Sequence, residues 1–389
     1  MKIQRIAVVI GTRPEAIKMA PIVHALKKYP DLFETIVIST AQHRQMLDQV
    51  FTLFDIVPDV DLAVMRPNQN LTDLTSLVLQ EMSKTLDDLQ PDLLLVQGDT
   101  TTVVAASLAG FYKKIPIGHV EAGLRSHNKY SPFPEEVNRQ LASVLADIHF
   151  APTALAKTKL LNEGIAEDSI VITGNTVVDA LSVQLERPFQ FENTPLENIP
   201  FNDDNRILFV TSHRRESWGE PLENTCAALK ELVSAFPDLI IVYPVHLNPN
   251  VNEPVMRLLG NVPRIYLTDP IDYLTCINLM KKSYLILTDS GGIQEEAPAL
   301  KIPALVLREL TERPEAFQAG MAKVVGTDQE KIVQEASLLL SDSAAYQAMA
   351  QGNNPYGDGH ASERIVSVIQ RWSQKKQGRL LEPSEEFNP

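Results

Sequence analysis

The chain has 389 residues, is 44% hydrophobic, and carries a formal net charge of −14 with a sequence pI of about 5.1. This length predicts two domains, and the acidic charge argues against general binding to nucleic acid or to anionic membranes. The first residues run directly into a β-branched stretch and no long apolar span follows, so we expect a cytoplasmic protein that does not enter a membrane.

Short apolar runs alternate with helical spacing along the first half of the chain. The runs that read as buried strands are residues 6–11, 34–40, 92–99, 115–123, 147–152 and 169–175. Helical spacing lies between them, at 14–28, 70–89, 101–112 and 135–146. Continuous apolar strands that alternate with helices predict a parallel sheet covered on both faces.

The alternation stops and then restarts. Residues 186–205 are rich in Pro, Asn and acidic side chains, which indicates a linker. Five further strands are predicted, at 206–215, 239–246, 264–270, 283–292 and 302–307. We therefore predict an α/β fold of two doubly wound Rossmann-like domains, with parallel sheets facing a central cleft where ligands meet the strand ends.

The predicted domain ranges follow from these breaks. An N-terminal domain takes residues 1–185, the linker takes 186–205, and a C-terminal domain takes 206–361. A last helix and a polar tail fill 362–389, with packing of the helix back on the N-terminal domain as one option.

Two strand–helix turns could hold an anionic ligand. In "TDSGGIQEEAP" (288–298), Ser290, Gly291 and Gly292 open a helix whose free N–H groups suit a phosphate, and Glu296 is one turn further on. In "GTRPEAIKMAP" (11–21), Arg13 and Lys18 could hold a diphosphate. The alternatives are an ordinary turn in the first case, and a solvated Lys18 with an Arg13–Glu15 pair in the second.

Two further turns carry polar groups. His213, Arg214 and Arg215 follow the strand that begins at 206. A lone His there is more often structural, although His can transfer protons near neutral pH, and the adjacent Arg pair favours an anionic ligand. Asp99 ends another strand, where capping of the next helix is the default interpretation.

The stretch "HVEAGLRSHNKYSPFPEEVNR" (119–139) contributes Glu121 at a strand end and Glu135 with Arg139 on one helix. The alternative for the last two is a surface salt bridge, which is worth little. On this helix we expect a buried side marked by Val137, Leu141, Val144, Leu145 and Ile148, and a solvated Glu136.

The motifs occur in the order found in non-hydrolysing UDP-N-acetylglucosamine 2-epimerases, which the chain closely resembles. They include "GTRPEAIKMAP", "TAQHRQMLDQV", "GDTTT", "GHVEAGLRS", "PFPEEVNRQ", "ITGNTVVDAL", "SHRRES", "TDSGGIQEEAP" and "NPYGDGHASERI". The resemblance runs from residue 11 to residue 365. It implies a two-domain fold like that of GT-B glycosyltransferases.

The resemblance also implies an activity and a set of site residues. The activity is interconversion of UDP-GlcNAc and UDP-ManNAc without NAD or metal, through elimination of UDP to a 2-acetamidoglucal and re-addition, in a homodimer that supplies cell-envelope polysaccharide. The residues carried over as UDP ligands are Arg13, Lys18, Ser290, Gly291, Gly292, Glu296 and Arg313. Those carried over to the sugar are Asp99, Glu121, Glu135, Arg139 and His213.

A second, activating UDP-GlcNAc site is known in some bacterial members, and part of its pattern is present here. The matching residues are Gln42, Gln45, Arg214 and His246. Asn68 stands where that pattern has Arg, and Ile271 and Cys276 stand where certain members have Gln and Phe at the uracil wall. The rival functions are a hydrolysing epimerase, another GT-B enzyme such as a glycosyltransferase, and a catalytically silent sugar-nucleotide sensor.

Overall fold

A computed structural model describes residues 3–41, 44–66, 69–202, 204–309, 313–374 and 380–389. The chain forms two compact units, one of Met1–Ser182 with Tyr356–Pro389 and the other of Val183–Pro355. The sequence predicts divisions near residues 185 and 361, and the compact units divide after Ser182 and after Pro355. The stretch predicted as a linker belongs to the second unit, and the C-terminal segment belongs to the first.

The first unit is built on a parallel sheet with strand order β3-β2-β1-β4-β5-β6-β7. Its strands are β1 (Gln4–Ile10), β2 (Phe33–Ser39), β3 (Val60–Asp61), β4 (Leu93–Gln97), β5 (Ile117–Val120), β6 (Ile148–Ala151) and β7 (Ile170–Ile172). Its helices are α1 (Arg13–Lys27), α2 (Arg44–Leu53), α3 (Leu71–Leu89), α4 (Thr101–Tyr112), α5 (Glu135–Leu145), α6 (Ala154–Asn162) and α7 (Thr176–Leu185), with the C-terminal helix given below.

The second unit has a parallel sheet of its own, in the order β10-β9-β8-β11-β12-β13. Its strands are β8 (Arg206–Thr211), β9 (Leu239–Pro244), β10 (Ile265–Thr268), β11 (Leu285–Thr288), β12 (Ala304–Val306) and β13 (Ala322–Val324). Its helices are α8 (Glu220–Ala235), α9 (Pro249–Leu259), α10 (Tyr273–Lys282), α11 (Gly291–Glu296), α12 (Glu315–Gln318), α13 (Gln329–Ser341) and α14 (Ser343–Ala350).

The predicted fold class is confirmed by these two sheets, because buried β-branched and leucine-rich strands are covered by helices on both faces. The strands missed by the sequence, β3 and β13, are only two and three residues long. In each sheet the strand order reverses beside the first strand, at β1–β4 and at β8–β11. Crevices at such reversals are where open α/β sheets bind ligands.

The C-terminal helix α15 (Ala361–Ser373) packs against α1 within the first unit. The buried Asp179 carboxylate holds the first turn of α15. It accepts hydrogen bonds from Ser362 N and Ser362 Oγ, each at a distance of 2.7 Å, and from Ala361 N at 3.2 Å. A carboxylate at a helix N-terminus satisfies free N–H groups and complements the helix dipole. Among the described residues, no helix is both long and apolar enough to cross a membrane.

Candidate active site

The first unit brings Lys18 of α1 against Glu121, which follows β5. The two side chains form a buried ion pair, and Asn175 Nδ2 donates to the same carboxylate oxygen over 3.0 Å. Glu121 also has a φ of 63°, a conformation that is uncommon for a residue other than glycine and is often found at functional sites. Asn175 was missed by the sequence analysis, although it lies within the motif "ITGNTVVDAL".

Asp99 follows β4, but it is not the N-cap of α4. The cap is Thr100, whose Oγ1 accepts from Val103 N over 3.4 Å, so the default interpretation of Asp99 is wrong. The Asp99 carboxylate forms an ion pair with Arg139, and its carbonyl oxygen accepts from Asn138 Nδ2 over 2.9 Å. Helix α5 therefore fixes Asp99 through both its side chain and its backbone.

Helix α5 buries its polar side, which reverses the prediction. Glu136 is wholly buried and accepts from the backbone N–H groups of Ser126, over 2.8 Å, and His127, over 3.0 Å. Its Oε2 also lies 3.4 Å from Arg139 Nη1. The prediction of a solvated Glu136 is therefore wrong, because this carboxylate supplies the acceptors that the loop before α5 needs.

The aliphatic side of α5 is exposed instead. Val137, Leu141 and Val144 are 36%, 47% and 79% exposed, so their predicted burial is wrong. Glu135 is half-buried at the start of the helix. Arg139 contacts Asp99 and Glu136, and the predicted orientation of Glu135 by Arg139 stays a prediction.

His119 supports the turn that carries Asp99. Its Nε2 lies 2.7 Å from the carbonyl oxygen of Gly98, and the ring is wholly buried. Burial lowers the pKa of His119 from 6.5 to about 3, against the opposing effect of the Gly98 hydrogen bond. His119 is therefore neutral at physiological pH and suited to holding a carbonyl in place rather than to transferring protons.

In the second unit, Asp289 organises the turn after β8. This wholly buried carboxylate accepts from His213 N over 2.7 Å and Arg214 N over 2.9 Å, and its Oδ1 lies 2.9 Å from His213 Nδ1. Burial is the largest single effect and raises the pKa of Asp289. The contacts together, His213 foremost, outweigh burial, so the pKa is lowered. A carboxylate on Nδ1 orients the imidazole and leaves Nε2 for a ligand. The motif "TDSGGIQEEAP" contains Asp289, but the sequence alone does not indicate this role.

The residues predicted for a second nucleotide-sugar site are partly described. The rings of His213 and His246 are stacked with centroids 5.9 Å apart, and Arg214 Nε donates to the Asp289 carbonyl oxygen over 3.0 Å. Burial, with His213 second, lowers the pKa of His246. Gln42, the side chain of Gln45 and Asn68 lie outside the described residues.

The predicted phosphate cradle brings Arg313 to Gly291. A Cβ added at Gly291 would lie 2.7 Å from Arg313 Nη1, so the guanidinium occupies the space that only glycine leaves open. Arg313 Nε donates to the buried Glu295 over 2.5 Å, which fixes the guanidinium at the start of α11. Ser290 precedes this helix without a side-chain capping bond, and Gly292 has open space around its Cα.

Glu296 is buried at the end of α11 beside Tyr273 of α10. Burial and then the Glu296 carboxylate, which accepts from the Tyr273 hydroxyl, raise the pKa of Tyr273 well above its usual range. Tyr273 therefore lies beside Glu296, and the ribose-binding role of Glu296 stays a prediction. Ile271 and Cys276, from the predicted uracil wall, flank Tyr273 in the sequence and are both half-buried.

Each unit therefore presents charged groups at the carboxyl ends of its strands. The first unit supplies carboxylates paired with cations, and the second supplies a carboxylate-bound imidazole and a guanidinium beside a glycine-rich turn. The described residues contain no group of three or more His, Cys, Asp or Glu side chains that could hold a metal ion. Such sets suit acid–base chemistry on a ligand that carries phosphates.

Comparison with known proteins decides the family. Residues 24–370 match the sequence model of the UDP-N-acetylglucosamine 2-epimerases. The chain belongs to this family. The UDP-N-acetylglucosamine 2-epimerase of Escherichia coli K12 is 53% identical over 369 residues, which are 94% of this chain and 98% of the E. coli protein.

Solved structures of the epimerase family have the same architecture. The UDP-GlcNAc 2-epimerase of Neisseria meningitidis, crystallised with UDP-GlcNAc, gives a TM-score of 0.88 at 48% identity, covering 94% of this chain and 100% of that chain. A Listeria monocytogenes structure gives 0.90 at 47% identity and covers 100% of both chains. The kitacinnamycin glycosyltransferase, 12% identical, gives 0.64 over 95% of this chain and 99% of its own, which shows the fold alone and agrees with the GT-B-like expectation.

Proposed function

We propose that this epimerase-family protein interconverts UDP-GlcNAc and UDP-ManNAc without releasing free sugar. Its family membership supports this substrate class, and the Neisseria relative was crystallised bound to UDP-GlcNAc. The observation that carries the proposal is the first sheet's carboxyl edge, where Glu121 and Asp99 each lie against a cation, Lys18 and Arg139.

The chemistry explains why carboxylates and cations are needed together. The C2 proton of the sugar is not acidic, because C2 bears an amide nitrogen. Cleavage of the C1–O bond to UDP builds positive charge at C1, which acidifies the C2 proton, and its removal gives 2-acetamidoglucal and UDP. Re-addition of UDP to C1, with a proton delivered to the opposite face of C2, gives the epimer. This route needs bases near C2 and cations on the departing diphosphate.

The proposed roles follow from this requirement. Asp99 and Glu121 exchange protons with C2, and Glu135 assists on the sugar. The diphosphate draws Lys18 from Glu121, which leaves that carboxylate able to act as a base. Arg139 holds Asp99, as it does in the ion pair between them.

The second unit is proposed to hold UDP. Ser290, Gly291 and Gly292 with Arg313 bind phosphate, and Glu296 binds the ribose. Arg13 is proposed as a diphosphate ligand on the family pattern alone. His213, oriented by Asp289, stabilises or protonates the leaving phosphate. Because elimination and re-addition transfer no hydride, we propose a reaction without NAD or metal. We place it in the cytoplasm, where its product would serve cell-envelope polysaccharide synthesis.

Incubation with UDP-GlcNAc in D2O tests the reaction, with NMR of the anomeric protons. We expect a mixture of the two UDP-sugars with deuterium at C2 of the product. Free ManNAc as the main product would select a hydrolysing epimerase, and transfer to an added acceptor would select a glycosyltransferase. Product without deuterium would exclude the elimination route. The absence of any turnover would favour the catalytically silent sugar-nucleotide sensor.

We also propose that the protein is a homodimer that associates through α5. The exposed Val137, Leu141 and Val144 recur at positions i, i+4 and i+7 and form one aliphatic stripe. Phe111 and Tyr112, which end the neighbouring α4, are 56% and 64% exposed. Exposed apolar surface of this extent is typical of an interface, and a stripe on one helix can pair with its own copy across a two-fold axis.

Sedimentation velocity of the wild type and Val144→Glu tests the dimer. We expect a wild-type dimer at micromolar concentration and a monomeric variant, because a charge in the stripe would be desolvated at the interface. Glu253→Lys, on α9 of the second unit, is a control for a charge change elsewhere. A monomeric wild type, or a dimeric Val144→Glu, contradicts this assignment.

An activating UDP-GlcNAc site near Arg214 and His246 is also proposed, on the family pattern. It predicts that the rate rises sigmoidally with UDP-GlcNAc and that His246→Ala makes the curve hyperbolic. A hyperbolic wild-type curve would argue against this site.

A further inference from the structure

Glu15 is a buried carboxylate for which the proposed reaction has no use. It is the third residue of α1 and accepts from Gly11 N over 2.5 Å and from Thr12 Oγ1 over 3.2 Å. It is only 2% exposed. Thr12, the N-cap residue, makes no side-chain capping bond, and Glu15 at N3 instead accepts from residues of the same turn, as the acid of a capping box does.

A capping box does not account for the contact with Thr100. The Thr100 hydroxyl hydrogen-bonds to the Glu15 carboxylate, although Thr100 belongs to the turn between β4 and α4. Thr100 directly follows Asp99, and Glu15 is two residues after Arg13. Burial raises the pKa of Glu15 from 4.5 to about 7, so the carboxylate is kept at a real cost.

The two turns are packed closely where Glu15 joins them. A Cβ at Gly11 would lie 2.6 Å from Thr102 Oγ1 and 2.9 Å from Thr40 Oγ1. These two hydroxyls are themselves 3.2 Å apart. The turn after β1 therefore cannot move without pushing on the first turn of α4, and Glu15 is a polar link across the same junction.

We propose that Glu15 is a positioning residue that locks the turn carrying Arg13 to the turn carrying Asp99. The proposal rests on the proposed epimerase function for its effect on rate. Because the link joins a diphosphate-binding turn to a proton-transfer turn, it sets the position of Asp99 relative to the bound nucleotide. Small misplacements of reacting groups cost large factors in rate.

A double-mutant cycle of Glu15→Met and Thr100→Val tests the link, because Met has a similar length and no oxygen to accept from Thr100. Each single change is expected to lower kcat on the order of ten-fold while KM and the UDP dissociation constant change less than about three-fold. The double variant should lose no more than the worse single variant, because both remove one interaction. Glu15→Asp, which keeps the carboxylate on a shorter stem, should recover part of kcat.

Thr153→Val is the matched control. Thr153 caps α6 on the same sheet edge, accepting from Ala156 N over 3.1 Å, so its loss removes a Thr cap without touching the link. We expect its kcat to stay at the wild-type level. Multiplicative losses in the double variant, or equal kcat values for Thr100→Val and Thr153→Val, would overturn the proposal.

Hydrogen exchange of the peptide covering residues 96–103 separates this inference from the proposed function. Glu15→Met should speed exchange there, and Thr153→Val should not, whether or not the wild type epimerises UDP-GlcNAc. A wild type without turnover would refute the proposed function while this measurement still tests the link. Unchanged exchange in Glu15→Met would refute the link.

Discussion

His119 should make folding stability depend on pH, and the resulting change in the free energy of unfolding can be calculated. The ring is wholly buried and has a pKa of about 3 in place of 6.5, mainly through desolvation. His149, Arg125 and Arg139 nearby lower it further. Between these two values the unfolded chain binds a proton that the folded chain does not. The contribution of His119 is thus fully present above pH 6.5 and is lost as the pH falls towards 3.

Each unit of pH within that window changes the free energy of unfolding by about 1.4 kcal/mol. From pH 6.5 to 4.5 the loss is therefore roughly 3 kcal/mol. Glu15 acts in the opposite direction, because its pKa is raised from 4.5 to about 7 and its folded form binds the extra proton. The stability that Glu15 contributes is present below pH 4.5 and lost as the pH rises towards 7. In the wild type the two slopes largely cancel between pH 4.5 and 6.5.

Single substitutions should separate the two slopes. Relative to wild type, His119→Leu should be more destabilised at pH 6.5 than at pH 4.5 by roughly 3 kcal/mol, and Glu15→Gln should show the reverse. Urea unfolding in a Trp218→Phe background measures this, because the fluorescence then reports from Trp372 of α15 in the first unit.

Leu26→Ala is the control for this experiment. Leu26 is buried and cannot titrate, so its loss should cost the same at both pH values. If the deficit of His119→Leu is equal at pH 4.5 and 6.5, the ring is not held neutral by burial and the reasoning fails.

Further predictions concern turnover and nucleotide affinity. Asp99→Asn should lower kcat by at least about a hundred-fold and change UDP affinity little, because it removes a proton-transfer group; near-normal turnover would refute its role. Gly291→Ala should weaken UDP binding by about ten-fold, since its Cβ would displace Arg313, as titration calorimetry would show. Among the described residues, a Cβ at Gly292 would meet only Ser290 Oγ, at 4.0 Å, so Gly292→Ala should bind UDP with an affinity closer to that of the wild type. Equal affinities for the two variants would contradict the role of Arg313.

The architecture could be predicted from the sequence because its signal is local. Continuous apolar runs mark strands that are buried on both faces, and every long strand of both sheets was found in this way. Strands β4 and β5 are adjacent in the sheet. This adjacency places the turns that bear Asp99 and Glu121 side by side.

The sequence does not predict which side chains of the candidate site pair with each other, because these pairs join segments that are distant in the chain. Lys18 and Glu121 are 103 positions apart, and nothing in either motif indicates that they pair. The same is true of Asn175, which reaches Glu121 across 54 positions. A motif identifies a charged group, whereas the fold decides which group neutralises it.

Helix α5 shows where reasoning from hydrophobic periodicity fails. The pattern assumes that a helix buries its apolar side, since burial of charge is costly unless the charge is paired. Here Arg139 and Glu136 are paired with each other, with Asp99 and with loop N–H groups, so the polar side can be buried. The aliphatic side is then left exposed. The inverted helix thus combines a buried polar network around Asp99 with an exposed aliphatic stripe, the surface that the proposed dimer would cover.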